Sequence, residues 1–164
     1  MPASPVFAAL LLLALVAGGA AAQVPADLQQ RAQAVFGTLP AVAESKDNPL
    51  TDAKVTLGRM LYYDPRLSAS NTISCNSCHQ LDKYGVDGEP TSPGHKGERG
   101  DRNSPTTYNA AFHFAQFWDG RAPTIEEQAK GPILNPVEMG MPADVDVIAK
   151  LRAIPGYAPL FKAA

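Results

Sequence analysis

The sequence predicts an all-α domain with long irregular loops, and three observations carry that expectation. Apolar residues recur at helical spacing behind cap signals, and no stretch alternates apolar and polar residues over a useful strand length. Residues 87–107 are 21 consecutive positions without one hydrophobic residue, so a large share of the chain must be loop.

Taken in order, residues 1–22 read as an export signal. An apolar block from Val6 to Val16 holds Leu10, Leu11, Leu12, Leu13 and Leu15, and Ala20-x-Ala22 before Gln23 suits the small-residue cleavage rule. No Lys or Arg precedes the block, so only the terminal amine supplies positive charge there. The alternative is an uncleaved anchor, for which the block is short. Residues 23–164 are then the expected mature domain, exported to the periplasm in a bacterium. No apolar stretch after residue 22 approaches the roughly 20 residues of a membrane span.

Asp27 is expected to cap a first helix with Leu28, Ala32, Val35 and Phe36 on one face and Gly37 as its stop. A second helix should start at Thr51, place Leu57 and Leu61 four apart, and end near Tyr63, because Asp64-Pro65 disfavours helical geometry before the proline. Ser74 caps a third, short helix. The polar run that follows has no apolar means of ordering itself, which asks for an organiser such as a cofactor or ion. Beyond it, Ser104-Pro105 has the form of an N-cap and first helical residue, and Phe112, Phe114, Phe117 and Trp118 are the densest aromatic cluster, expected to pack. Thr124-Ile125-Glu126-Glu127 has capping-box spacing. A last clear helix follows Asp144, with Val147, Ile148 and Leu151 on one side and Pro155-Gly156 as its break.

Charge excludes some functions. Fourteen basic and 16 acidic residues, all beyond residue 22, give a net charge of −2 with no long run of either sign, so neither nucleic acid nor an anionic membrane surface is an expected partner. Two cysteines cannot build a multi-bridge scaffold.

Those two cysteines lie in Cys75-Asn76-Ser77-Cys78-His79, the C-x-x-C-H attachment signature of c-type haem. Two thiols three positions apart can each add to a porphyrin vinyl group, while the adjoining histidine reaches the iron. The competing readings are a thiol redox pair, which lacks its βαβ context here, half of a zinc site, which needs further ligands, and a plain disulfide. Export and the need for an organiser favour haem. For the second axial position the chain offers His95, His113, Met60, Met139 and Met141. Packing does not explain His95, in a glycine-rich loop without apolar neighbours, whereas His113 between Phe112 and Phe114 reads as packed or surface, and most methionines fill cores.

Several blocks then occur in a telling order: Leu57 through Ser68 (LGRMLYYDPRLS), Ser74 through His79, Gly94-His95, Arg102-Asn103-Ser104-Pro105-Thr106, Gln116-Phe117-Trp118-Asp119-Gly120-Arg121, and Asn135-Pro136-Val137-Glu138-Met139-Gly140-Met141. From about residue 57 onward the chain closely resembles the N-terminal haem domain of bacterial di-haem cytochrome c peroxidases. The resemblance implies a cytochrome c-like haem fold with one haem c held by Cys75 and Cys78, His79 as proximal iron ligand and His95 as the distal ligand that leaves on activation. It implies Glu138 as the distal acid that moves peroxide's proton, Gln128 as its companion, Trp118 as an electron conduit between two haems, and Asn103 as a side-chain ligand of calcium. The implied partners are hydrogen peroxide and a small donor cytochrome c or cupredoxin, with a homodimer as the assembly.

Family members carry a second domain with its own C-x-x-C-H, and here there is one such motif. Residues 157–164 read as a helix broken off a few positions past Pro159, so the chain is expected to be a copy truncated at its C-terminal end. Two alternatives to a peroxidase follow: an electron-transfer cytochrome closed by His79 and His95, and a relative that oxidises an organic or protein substrate.

Overall fold

The structure, a computed structural model, describes residues 24–164. The expected signal lies outside the described residues. The chain divides into two compact units, one ending at Ala41 and the other running from Val42 to Ala164.

In the first unit, α1 spans Ala26–Phe36. Pro25 precedes it, and Asp27 sits in the first turn instead of at the cap, where its charge still complements the positive end of the helix. Gly37 ends the helix at φ 68°, its N–H donating to Gln33 O. The expected apolar face is not buried: Leu28, Val35 and Phe36 are exposed.

The second unit is helical, with no strand among the described residues and only two isolated bridges, Pro93 with Arg99 and Gln116 with Ala122. Helix α2 (Asp52–Tyr63) begins as expected, with Thr51 Oγ1 accepting from Lys54 N at 3.2 Å. It stops at Asp64, which turns extended before Pro65 and caps the 3-10 turn Pro65–Leu67 through Arg66 N at 2.9 Å. Four further helices complete the unit: α3 (Cys75–Cys78) before the long polar loop, then α4 (Ile125–Leu134), α5 (Asp144–Arg152) and α6 (Tyr157–Ala163) after it. Helix α2 packs against α3 and α6, and α5 packs against α6 and the Pro65–Leu67 turn. The protein core they enclose is small: Leu57, Leu67, Ala122, Met139, Met141 and Tyr157.

The polar run is held by polar pins: Gly94 N donates to Glu98 O at 2.9 Å, Ser92 and Ser104 hydroxyls meet at 2.6 Å, and His95 N donates to Glu138 O at 2.7 Å. Two expectations change. No helix starts at Ser104-Pro105, because the polar groups of this stretch are taken by other segments, Pro105 O by His79 Nδ1 and Thr106 Oγ1 by Tyr84 O. The aromatic cluster does not close into a core. Phe114 is fully exposed, Trp118 is 60% exposed, and Phe117, held at φ 66°, carries the Arg121 guanidinium over its ring at 3.5 Å.

Candidate haem site

The C-x-x-C-H pentapeptide forms one helical turn. Ser74, in an extended conformation, precedes α3 and donates its N–H to Ser77 Oγ at 3.0 Å, while His79 N closes the turn on Cys75 O at 2.9 Å. Both cysteines are free thiols, and burial is the main cause that pushes each up from its ordinary value. Cys78 also feels a hydrogen bond from Ser92 and the charges of the Asp87 and Glu138 carboxyls, which puts both carboxyls within electrostatic range of its thiol. One oxygen of Asp87, Oδ2, is buried without a hydrogen-bond partner.

His79 is oriented through its rear nitrogen. Nδ1 lies 3.0 Å from Pro105 O and 3.3 Å from Gly85 O, and since both partners are carbonyls, Nδ1 must carry the proton. That leaves Nε2 as the lone-pair nitrogen, the tautomer an axial ligand requires. The main-chain carbonyl of His79 is fixed in turn by the Tyr62 hydroxyl at 2.6 Å.

A tight loop follows α4. Asn135 organises it: Asn135 O accepts Glu138 N at 3.0 Å and Gly140 N at 2.9 Å, Oδ1 accepts Val137 N at 3.0 Å, and Nδ2 donates to Glu138 Oε1 at 2.8 Å. The return of Met139 N to Pro132 O and Met141 N to Ile133 O ties the loop to α4. Burial pushes the Glu138 carboxyl above its usual range, against the opposing effects of the Asn135 bond and the charges of His79 and Arg121. His95 is stitched to this same loop, by its main chain to Glu138 O and by Nε2 to Pro136 O at 3.1 Å. Gly94 and Gly140 permit that contact: a Cβ on Gly94 would overlap Val137 O, and one on Gly140 would overlap the His95 ring.

The structure therefore joins His95 to Glu138 by a main-chain hydrogen bond and brings Glu138 within electrostatic range of Cys78 and His79, residues spread over 61 positions of sequence. Gln128, half-buried on α4, makes no side-chain hydrogen bond to Glu138. Trp118 and Asn103 pair with each other instead, indole Nε1 donating to Asn103 O at 3.0 Å beside a surface pocket lined also by Pro90, Asp101 and Arg102. Among the described residues no group of three or more His, Cys, Asp or Glu side chains is arranged to hold a metal ion. Sequence reasoning missed Tyr62, Gly85, Asn135 and Asp87; Tyr62 and Asn135 stood within quoted motifs, and the other two carried no sequence signal.

Two free thiols one helical turn apart, an adjoining imidazole with its Nδ1 proton given to carbonyls, and a carboxyl held partly out of water fit a covalently attached haem. Fold and site together define a c-type haem domain. Residues 52–164 match the family described as di-haem cytochrome c peroxidase, and the chain belongs to that family. It is 46% identical over 138 residues to cytochrome c551 peroxidase of Pseudomonas aeruginosa, covering 84% of this chain and 40% of that protein. It is 42% identical over 149 residues to the methylamine utilization protein MauG of Methylorubrum extorquens, covering 90% of this chain and 42% of that one. Among solved structures, a MauG-like protein associated with microbial copper homeostasis aligns with a TM-score of 0.69 at 34% identity, over 76% of this chain and 37% of its own. The chain thus spans about two fifths of the length of these relatives.

Proposed function

We propose that this chain is the peroxide-reducing haem domain of an exported oxidoreductase, working in the periplasm after removal of residues 1–22, with residues 23–164 as the working domain. Cys75 and Cys78 hold one haem c by thioether bonds, His79 is the proximal ligand, and His95, whose Nε2 is given to Pro136 O here, turns from that carbonyl to serve as the distal ligand that leaves on activation. The observation that carries this reading is the His79 ring, whose Nδ1–H is committed to Pro105 O and Gly85 O beside two free thiols.

The bound haem supplies the iron centre at which hydrogen peroxide, two protons and two electrons become two waters. Glu138 takes a proton from peroxide and returns it to the departing oxygen, a task suited to a carboxyl raised by burial and steered by Asn135. Gln128, on α4, is its companion in that task. Arg121 draws the carboxyl downward, against the larger effect of burial. Electrons come from a small cytochrome c or cupredoxin and enter through exposed Trp118, whose indole is pinned to Asn103; Asn103 also offers an oxygen to calcium. A homodimer is the assembly in which this domain works.

The similarity to a methylamine utilization protein, MauG, keeps a second reading open, in which the same site oxidises an organic or protein substrate. A pyridine haemochrome spectrum of the exported protein, with peroxide-dependent oxidation of a reduced small cytochrome on the same sample, tests the proposal. A haem c signal with turnover is expected. Colourless protein with free or disulfide-linked sulfurs overturns it, and a haem that stays six-coordinate without turnover leaves an electron carrier.

A further inference from the structure

Two loops far from the peroxide side meet behind His79, and the way they meet requires a glycine. Gly85 is buried at φ +75°, and a Cβ there would lie 2.7 Å from Thr107 Oγ1, 2.8 Å from Thr107 N and 3.1 Å from Thr106 Oγ1. Two of these atoms are side-chain hydroxyls, but the third is main chain and cannot swing away. The preceding residue, Tyr84, also adopts left-handed backbone at φ 60° although it is bulky and 80% exposed. Its strain is held by a 2.5 Å bond from Thr106 Oγ1 to Tyr84 O, and Gly85 N is anchored to Gln80 O at 2.9 Å.

The product of this arrangement is a pair of carbonyls, Gly85 O and Pro105 O, converging on one imidazole N–H. Tyr62 closes the group from α2, donating to His79 O at 2.6 Å and lying 3.4 Å from Thr107 Oγ1. A ligand imidazole whose Nδ1–H is given to strong acceptors becomes a more basic donor at Nε2, which favours the more positive state of a metal it binds.

We propose that Gly85 and Tyr62 are positioning residues that set the donor strength of His79, Gly85 by letting a second carbonyl reach Nδ1 and Tyr62 by locking the main chain of the ligand. This rests on His79 being the proximal ligand. In the haem-loaded full chain, Gly85→Ala separates the two loops and takes the Gly85 carbonyl from the ring, so the reduction potential shifts upward; in a His95→Gly background, where the ferrous iron is five-coordinate, the iron–histidine stretching frequency read by resonance Raman shifts downward. Tyr62→Phe, which keeps the ring and its packing, gives smaller shifts in the same directions. Gly58→Ala, at a helical glycine with open space around it, leaves both unchanged.

If Gly85→Ala loads no haem, Tyr62→Phe decides. Unmoved potential and frequency in whichever of these variants folds and loads overturn the proposal, even where stability falls. His79→Gly with added imidazole separates the underlying assignment: a spectrum indifferent to that substitution shows that His79 is not the ligand, whereas altered coordination restored by imidazole, with Gly85→Ala and Tyr62→Phe silent, leaves the assignment standing and sinks the clamp alone.

Discussion

Tyr157 donates a 2.7 Å hydrogen bond to Asp64 Oδ2, joining the first turn of α6 to the end of α2 across 93 positions of sequence. Asp64 is buried and also receives Arg66 Nε and Nη2, so its charge is met on both sides. The Arg66 contact, with help from Tyr157, holds its carboxyl down at about 2. A carboxyl depressed in the folded state adds stability that is full above its unfolded value and is lost as pH falls through the folded one. Stability should therefore drop by about 2 kcal/mol between pH 5 and pH 2 from this group alone. Urea unfolding across that range checks it, and Asp64→Asn should flatten the dependence; an equally steep fall in Asp64→Asn refutes it.

The same pair has an alkaline limb. Burial, then the Asp64 bond, pushes the Tyr157 hydroxyl up to about 12, so the stability it adds is present below its ordinary value near 10 and is lost as pH rises toward 12. Tyr157→Phe should cost about 1–2 kcal/mol at pH 7, since it strips a donor from a buried carboxylate. A variant as stable as the parent would show that Arg66 alone satisfies Asp64.

How much of this was legible in the sequence depended on range. Thr51, Ser74 and Thr124 act within three residues, and their cap positions were readable because the chemistry of a cap is local. Asp64-Pro65 was readable as a helix stop but not as the anchor for Tyr157, because nothing local marks a partner 93 residues away. Ser104-Pro105 misled for the opposite reason: a good cap signal lost to long-range partners for Pro105 O and Thr106 Oγ1. Phe114 and Trp118 misled because aromatic density in sequence does not say which side of the chain faces protein. At the candidate site, Cys75, Cys78 and His79 are contiguous and were plain, whereas Glu138 needed a family resemblance, and Gly85 and Asn135 needed coordinates.

Glu138→Gln keeps the size of the side chain and its bond from Asn135 while removing the transferable proton. Haem content should be unchanged, and peroxide-dependent oxidation of a reduced small cytochrome should fall roughly 10²–10⁴-fold. Stopped-flow turnover per haem measures it. A loss under twofold would make Glu138 a bystander whose raised carboxyl reflects burial alone.

On the proposed assignment, His95→Gly removes the distal ligand without touching the main-chain bond from position 95 to Glu138 O, because that bond uses the backbone N–H. The ferric spectrum should change from low-spin to high-spin and peroxide should react without prior reduction. An unchanged low-spin spectrum would move the distal role to another side chain.

Two glycines separate collision from propensity. Gly94 has ordinary backbone angles, so alanine there carries no conformational strain, yet its Cβ would overlap Val137 O in the loop that bears Glu138. Main-chain atoms cannot rotate aside, so the His95 segment or the Glu138 loop must move. Overpacking of this kind costs about 1–3 kcal/mol. Gly58, within α2 and open to solvent, should respond in the opposite sense, alanine raising stability by about 0.5–1 kcal/mol through helix propensity. Urea denaturation of Gly94→Ala and Gly58→Ala side by side checks both signs. Equal stability of the two variants would mean that the His95 segment and the Glu138 loop do not touch in solution, and with that contact would go the proposed coupling of His95 to Glu138.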